Sequence, residues 1–123
     1  MEFTNQEIGR IGEKMANKFL KKRKYAILAR NYITPLGEID IVAAEKDFLV
    51  FFEVKTRISE KFGPPLASIT EYKKRHIIRN CQYYLLREKL QDSPVRIDAI
   101  GITLDNNGNL LILKHVRNAL QIQ

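Results

Sequence analysis

The sequence predicts an α/β fold, and three observations carry that expectation. Apolar residues recur at helical spacing in two long stretches, and two other stretches read as strand pairs joined by tight turns. Within the first pair, Phe48, Leu49, Val50, Phe51 and Phe52 make one strand apolar on both faces. A strand of that kind lies inside a sheet and is covered above and below.

The 123 residues are enough for one domain with a respectable core, and no linker or repeat divides 1–123. Hydrophobic content of 45% with 28% charged residues is ordinary for a globular chain. No apolar run approaches a membrane span, and MEFTNQE lacks the basic-then-apolar form of a signal peptide, so the expected location is cytoplasmic. A single cysteine, Cys81, excludes an internal disulfide and a multi-cysteine zinc site. The net charge of +7 points to a polyanionic partner, because clustered Lys and Arg displace counterions from phosphates.

Thr4 and Glu7 form a capping-box pattern, followed by Ile8, Ile11, Met15 and Phe19 at helical spacing, so a first helix is expected from about Asn5 to Lys22. Glu13 falls about 140° around that helix from Ile8, at the border of the apolar stripe. Gly9 and Ala16 beside it are small enough for another element to approach. Lys21, Lys22, Arg23 and Lys24 close the helix, a solvated terminus or a phosphate contact. Tyr25 to Ala29 reads as a short strand, and Pro35 with Gly37 as the turn into the central hairpin.

That hairpin, Gly37 to Arg57, is where the chemistry gathers. Glu38, Asp40 and Val42 alternate with Ile39, Ile41 and Ala43, and Glu53 shares a face with Lys55 two residues on. An even-numbered loop, whether Lys46-Asp47 or Glu45 to Phe48, places Asp40 opposite Glu53 and Glu38 opposite Lys55, with Cβ atoms roughly 4.5 to 5.5 Å apart, whereas an odd loop puts the two carboxylates on opposite faces. Two carboxylates ~5 Å apart repel by roughly 3 kcal/mol at an effective dielectric of ~20. Something cationic belongs between them. Lys55 supplies one charge, and a divalent metal with hard oxygen ligands would supply the rest. The competing reading, a wet face with a Glu38–Lys55 ion pair, conflicts with the apolar character of the second strand.

Beyond Arg57 a polar segment reaches Phe62-Gly63-Pro64-Pro65, a loop at the rim of the carboxylate face. Ser68 with Glu71 predicts a second helix to about Leu90, burying Ile77, Ile78, Cys81, Tyr84 and Leu85 and leaving His76 at the surface. Lys73, Lys74 and Arg75 crowd its first turns, where cations oppose the helix dipole, so phosphate is an attractive reason for them. Arg96 to Leu104, Asn106-Asn107-Gly108 and Leu110 to Leu113 read as a second hairpin, with Arg96 and Asp98 paired on one face. The tail from His115 onward predicts only a short amphipathic turn. Phosphate-loop, GxSxG and HExxH patterns are absent.

Asp40 followed by Glu53-Val54-Lys55 across a hairpin, behind a helix bearing Glu13, resembles the PD-(D/E)xK superfamily. Ile39 stands where the superfamily name has Pro. The order Gly12-Glu13 with Ala16, then Arg30-Asn31, Gly37 to Asp40, Phe52 to Arg57, Phe62-Gly63 and Arg96 to Asp98 is similar to the YraN-type family, whose members are assigned as endonucleases largely by similarity and are related to archaeal Holliday-junction resolvases. The resemblance covers nearly the whole chain. It implies a restriction-endonuclease-like fold, a central mixed β-sheet with the hairpin in it and helices against its faces.

It also implies a metal-dependent nuclease acting on DNA, with branched or junction DNA among the substrates. Asp40 and Glu53 would hold Mg²⁺ or Mn²⁺ with the carbonyl of Val54, Glu13 would complete the acidic cluster, and Lys55 would act on the nucleophile and the developing charge. Glu38 is a second-tier member of the cluster. Arg57, Lys73, Lys74, Arg75, Lys21 and Lys22 are the expected nucleic-acid contacts. A non-catalytic nucleic-acid-binding module with the same fold is the alternative, and a protein-interaction domain the third reading. The sequence leaves a homodimer open, since a nuclease cutting two strands symmetrically would gain from a two-fold axis.

Overall fold

The computed structural model describes residues 2–59 and 63–122. Its elements are α1 (Asn5–Lys22), β1 (Ala26–Thr34), β2 (Gly37–Glu45), β3 (Phe48–Ile58), α2 (Glu71–Arg87), β4 (Val95–Leu104) and β5 (Leu110–Leu120), with a 3₁₀ turn at Pro65–Ser68. The five strands form one sheet in the order β1-β2-β3-β4-β5. β3 and β4 run parallel and every other neighbour pair is antiparallel, so the sheet is mixed and the expected α/β restriction-endonuclease-like architecture is met. The parallel pair needs a crossover, and α2 lies in it.

β3 is the central strand, and its side chains go alternately to two cores. Val50, Phe52 and Val54 pack with Ala16 and Leu20 of α1, while Leu49 and Phe51 pack with Cys81, Tyr84 and Leu85 of α2. The two helices therefore cover opposite faces, as a strand apolar on both sides requires. Among the described residues, no helix is long and apolar enough to cross a membrane.

Helix α1 begins with the full reciprocal capping box between Thr4 and Glu7. The intimate contact of α1 with β3 is made at Gly12 rather than Gly9. A Cβ on Gly12 would lie 1.7 Å from Thr56 Oγ1, whereas one on Gly9 would meet nothing within 4 Å. Helix α2 starts two residues later than the Ser68 pattern predicts. Thr70 is the cap, accepting from the Lys73 N–H, because Pro65–Ser68 is taken up by the 3₁₀ turn.

Two strands are longer than expected. β1 runs on to Thr34, and β5 continues through His115 to Leu120, where an amphipathic turn was predicted. The extension of β5 is tied down by a polar network. Asp98, fully buried, accepts from Arg96 Nε at 2.9 Å and from the Asn118 N–H at 2.8 Å, and lies 2.8 Å from His115 Nε2. Arg96 also donates to Glu45 and to the Tyr25 hydroxyl. Arg96 and Asp98 do pair, as expected, and their pairing holds the sheet together. Phe62 of the expected rim loop lies outside the described residues.

Candidate metal centre

The β2–β3 ladder has the register that the two-residue loop requires. Its pairs run from Glu45↔Phe48 to Ile41↔Phe52, all summing to the odd total that sets Asp40 against Glu53. The ladder ends at Ile41–Phe52, where Asp40 takes over with its side chain. Its Oδ2 accepts the Val54 N–H at 2.7 Å.

The strict alternation expected along β2 slips here. Ile39 joins Val42 in the α2-side core, while Ile41 and Ala43 join the α1-side core. Residues two apart in a regular strand would share a face, so the backbone turns between Ile39 and Ile41, at the Asp40 position. Across from it, Asn31 of β1 sits at a left-handed φ of 51°, a conformation that Asn tolerates better than most side chains.

Carboxylates gather at this slip. Ligand oxygens of Glu13, Glu38 and Asp40 all lie within 4.8 Å of one another. Glu38, second-tier on sequence grounds, is a full member of the trio. Asn31 clasps it from the β1 side: with its side-chain amide turned so that the nitrogen faces the carboxylates, it donates to Glu38 Oε1 at 3.1 Å and to the two Glu13 oxygens at 3.1 and 3.3 Å. Glu53 sits beside the trio and binds Lys55, Oε1 to Nζ at 3.2 Å. Its side chain is 14% exposed and that of Lys55 30%.

Burial is the main reason that Asp40 titrates at about 7, well above a free Asp. The Val54 N–H opposes the shift, the Glu13 charge adds to it, and Lys55 opposes it. Burial and the Asp40 charge likewise push Glu53 to about 7, against Lys55 and Lys73. Glu13 is raised chiefly by burial, offset by its hydrogen bond to Asp40 and increased by the charge of Glu38. Carboxyl groups raised in this way hold a proton more tightly than free ones do, and a bound cation can take its place. The cluster is thus poised to exchange that proton for a cation, and its donors are the hard oxygens that Mg²⁺ and Mn²⁺ take. The residues present fit such an ion.

Two clefts flank the cluster and meet at Lys55. One, of about 510 Å³, is lined by the N-terminal half of α1, including Glu13, by β3 from Val54 to Ile58, and by Ser59 just beyond it. The other, of about 290 Å³, lies toward α2 and is lined by Glu38, Glu53, Lys55 and Lys73, with Tyr72 and His76. His76 is half-buried there rather than at the open surface.

Of the basic residues singled out from sequence, Arg57 and Lys73 line these clefts, while Lys74, Arg75, Lys21 and Lys22 line neither. Lys74 is instead paired with Glu71 at 3.0 Å, and Lys21 and Lys22 are exposed at the far end of α1. Sequence reasoning gave Asn31 no part in the site. Its presence in the Arg30-Asn31 motif was the only signal, since its role depends on a backbone turn that no periodicity reveals.

Comparison with known proteins adds the family. Residues 12–102 match the model of an uncharacterised protein family, UPF0102. A UPF0102 protein of Caldicellulosiruptor saccharolyticus is 41% identical over 114 residues, covering 93% of this chain and 97% of its own. One of Clostridium acetobutylicum is 39% identical over 122 residues, covering 99% and 100%. The matched span runs from Gly12, at the contact that seats Glu13, past Lys55 to Ile102 of β4, and it takes in every carboxylate of the cluster. With residues 12–102 matched by the family model and nearly the full length of these relatives covered, the chain belongs to the UPF0102 family.

Proposed function

We propose that the protein is a metal-dependent nuclease of the PD-(D/E)xK type that hydrolyses phosphodiester bonds in DNA. The observation that carries this reading is the convergence of Glu13, Glu38 and Asp40 within 4.8 Å, beside a Glu53–Lys55 pair, at the meeting point of two clefts. Asp40 and Glu13 would hold Mg²⁺ or Mn²⁺, with Glu38 and Glu53 completing the acidic shell and the Val54 carbonyl as a further oxygen donor. Bound there, the ion supplies a lowered pKa for water and positive charge for the scissile phosphate.

Lys55 takes the remaining work. Its ammonium is compact and partly exposed between the clefts, so it can touch both an attacking water and a phosphate oxygen. Held by Glu53, it stays aimed at the place where negative charge develops. Arg57 in one cleft and Lys73 in the other position the strand through its phosphates.

Asp40→Asn and Lys55→Ala should each slow DNA cleavage by about a hundredfold or more with an unchanged circular-dichroism spectrum. Calorimetric titration should show Mn²⁺ binding that Asp40→Asn removes. Undiminished cleavage by both variants overturns the mechanism. DNA affinity without Mn²⁺ binding or cleavage leaves the non-catalytic binding module.

A further inference from the structure

We propose that the α2-side cleft holds one unpaired nucleobase of the strand being cut. This rests on the nuclease reading and narrows its substrate to nucleic acid with a single-stranded or splayed nucleotide beside the scissile bond.

Tyr72 and His76 stand one turn apart on α2 with ring centroids 4.5 Å apart, and both line the cleft. Tyr72 is 63% exposed and belongs to neither hydrophobic core, so the fold itself gives its ring little to do. Leu36, at the β1–β2 turn, lines the same cleft and is 49% exposed. An aromatic face and an aliphatic side chain bordering one gap form a stacking platform, and stacking accepts any base because every base has a π-face.

Size and charge fit the same occupant. A cleft of about 290 Å³ has room for a single base. Lys55 and Lys73 line it, two cations for the phosphates on either side of that base. The Lys73 ammonium makes a long contact, 3.4 Å, to the Ser68 carbonyl, which a phosphate oxygen would replace. Glu38, Glu53 and Lys55 also belong to the lining, so the cleft opens directly onto the carboxylate cluster. A base seated on Tyr72 shares its cleft with Lys55, while the strand continues past Arg57 in the larger cleft. A base paired in a helix keeps its faces stacked on its neighbours, so only one that has left the stack can enter.

Fluorescence anisotropy with Ca²⁺ in place of Mg²⁺ tests this, using a labelled duplex that carries a single-stranded overhang and a blunt duplex of the same length. Tyr72→Ala should weaken overhang binding by about tenfold and leave blunt-duplex binding within about twofold, and Tyr72→Phe should bind as the unaltered protein does. A 2-aminopurine in the overhang should be quenched by the unaltered protein and not by Tyr72→Ala. Matched DNA and RNA overhangs identify which polymer supplies the base. Equal loss on both duplexes, or no loss with 2-aminopurine unquenched, overturns the base site.

The two readings fail separately. Cleavage that Asp40→Asn abolishes, with Tyr72→Ala showing no overhang-specific defect, sinks the base site alone. Quenching that needs Tyr72 in a protein that cuts nothing sinks the nuclease alone.

Discussion

Asp40 does two things with one carboxylate. It takes the Val54 N–H at 2.7 Å that the β2 backbone has turned away from, and it carries a carboxyl that burial and the Glu13 charge push up to about 7. Both tasks follow from its position at the end of the β2–β3 ladder, and the second makes cation binding a proton-exchange reaction. Because Asp40 and Glu53 both titrate at about 7, Mn²⁺ binding near pH 6 should release protons, seen as heats that depend on the ionisation enthalpy of the buffer. Affinity should climb with pH up to about 7 to 8 and then level off. Binding that is insensitive to pH between about 5 and 8 would mean that these carboxyls do not hold the ion. At this scale the sequence was readable where charge interrupts an apolar strand, as at Asp40, Glu53 and Lys55. Glu38 was under-ranked although alternation already sets it on the face of Asp40, because its expected cross-strand partner was Lys55.

At the scale of elements, the site depends on how closely α1 approaches β3, and Gly12 sets that distance. Any side chain there meets the Oγ1, Cβ and Cγ2 atoms of Thr56 at once, so rotation of the threonine cannot relieve the clash and the helix must move. Gly12→Ala should therefore destabilise the protein by roughly 1–3 kcal/mol in urea unfolding. It should also weaken Mn²⁺ binding, since Glu13 rides on the displaced helix. The same change at Gly9, which faces open space, should do neither. The long periodic helices were legible because local spacing dictates them, and of the two even loops that fit the hairpin the structure has the shorter, Lys46-Asp47. β5 was not. Its pairing with β4 shifts register between Ile97 and Ala99, and Asn118 sits at φ 52°, so the alternation is broken where the strand continues. What holds it is Asp98, a residue from another strand.

For the molecule as a whole, the two buried acidic groups pull stability in opposite directions with pH. Asp40 and Glu53 have folded pKa values raised above the ordinary carboxylate range, so the native state keeps protons that the unfolded chain has lost. Their contribution is full below about pH 4 and is lost as pH rises toward 7. Asp98 is the reverse. Burial pushes it up, but bonds from His115, Arg96 and the Asn118 N–H outweigh that and lower it, so its contribution is lost as pH falls below about 4. The metal-free protein should melt at its highest temperature near about pH 4 to 5 and lose more than about 4 °C by pH 7. Mg²⁺ or Mn²⁺ should restore the loss, and Asp40→Asn should flatten the slope. The overall layering was legible because a strand apolar on both faces admits few other arrangements.

The strands lie side by side in the order in which they leave the ribosome, and that has a consequence for how the protein is made. A nascent chain that has emerged as far as Ile58 already owns every acidic ligand and Lys55, yet its most greasy strand is still a raw margin with no neighbour on one side. Until Val95–Leu104 arrives, that margin is open to pairing with other chains, so the second half of synthesis protects what the first half has built.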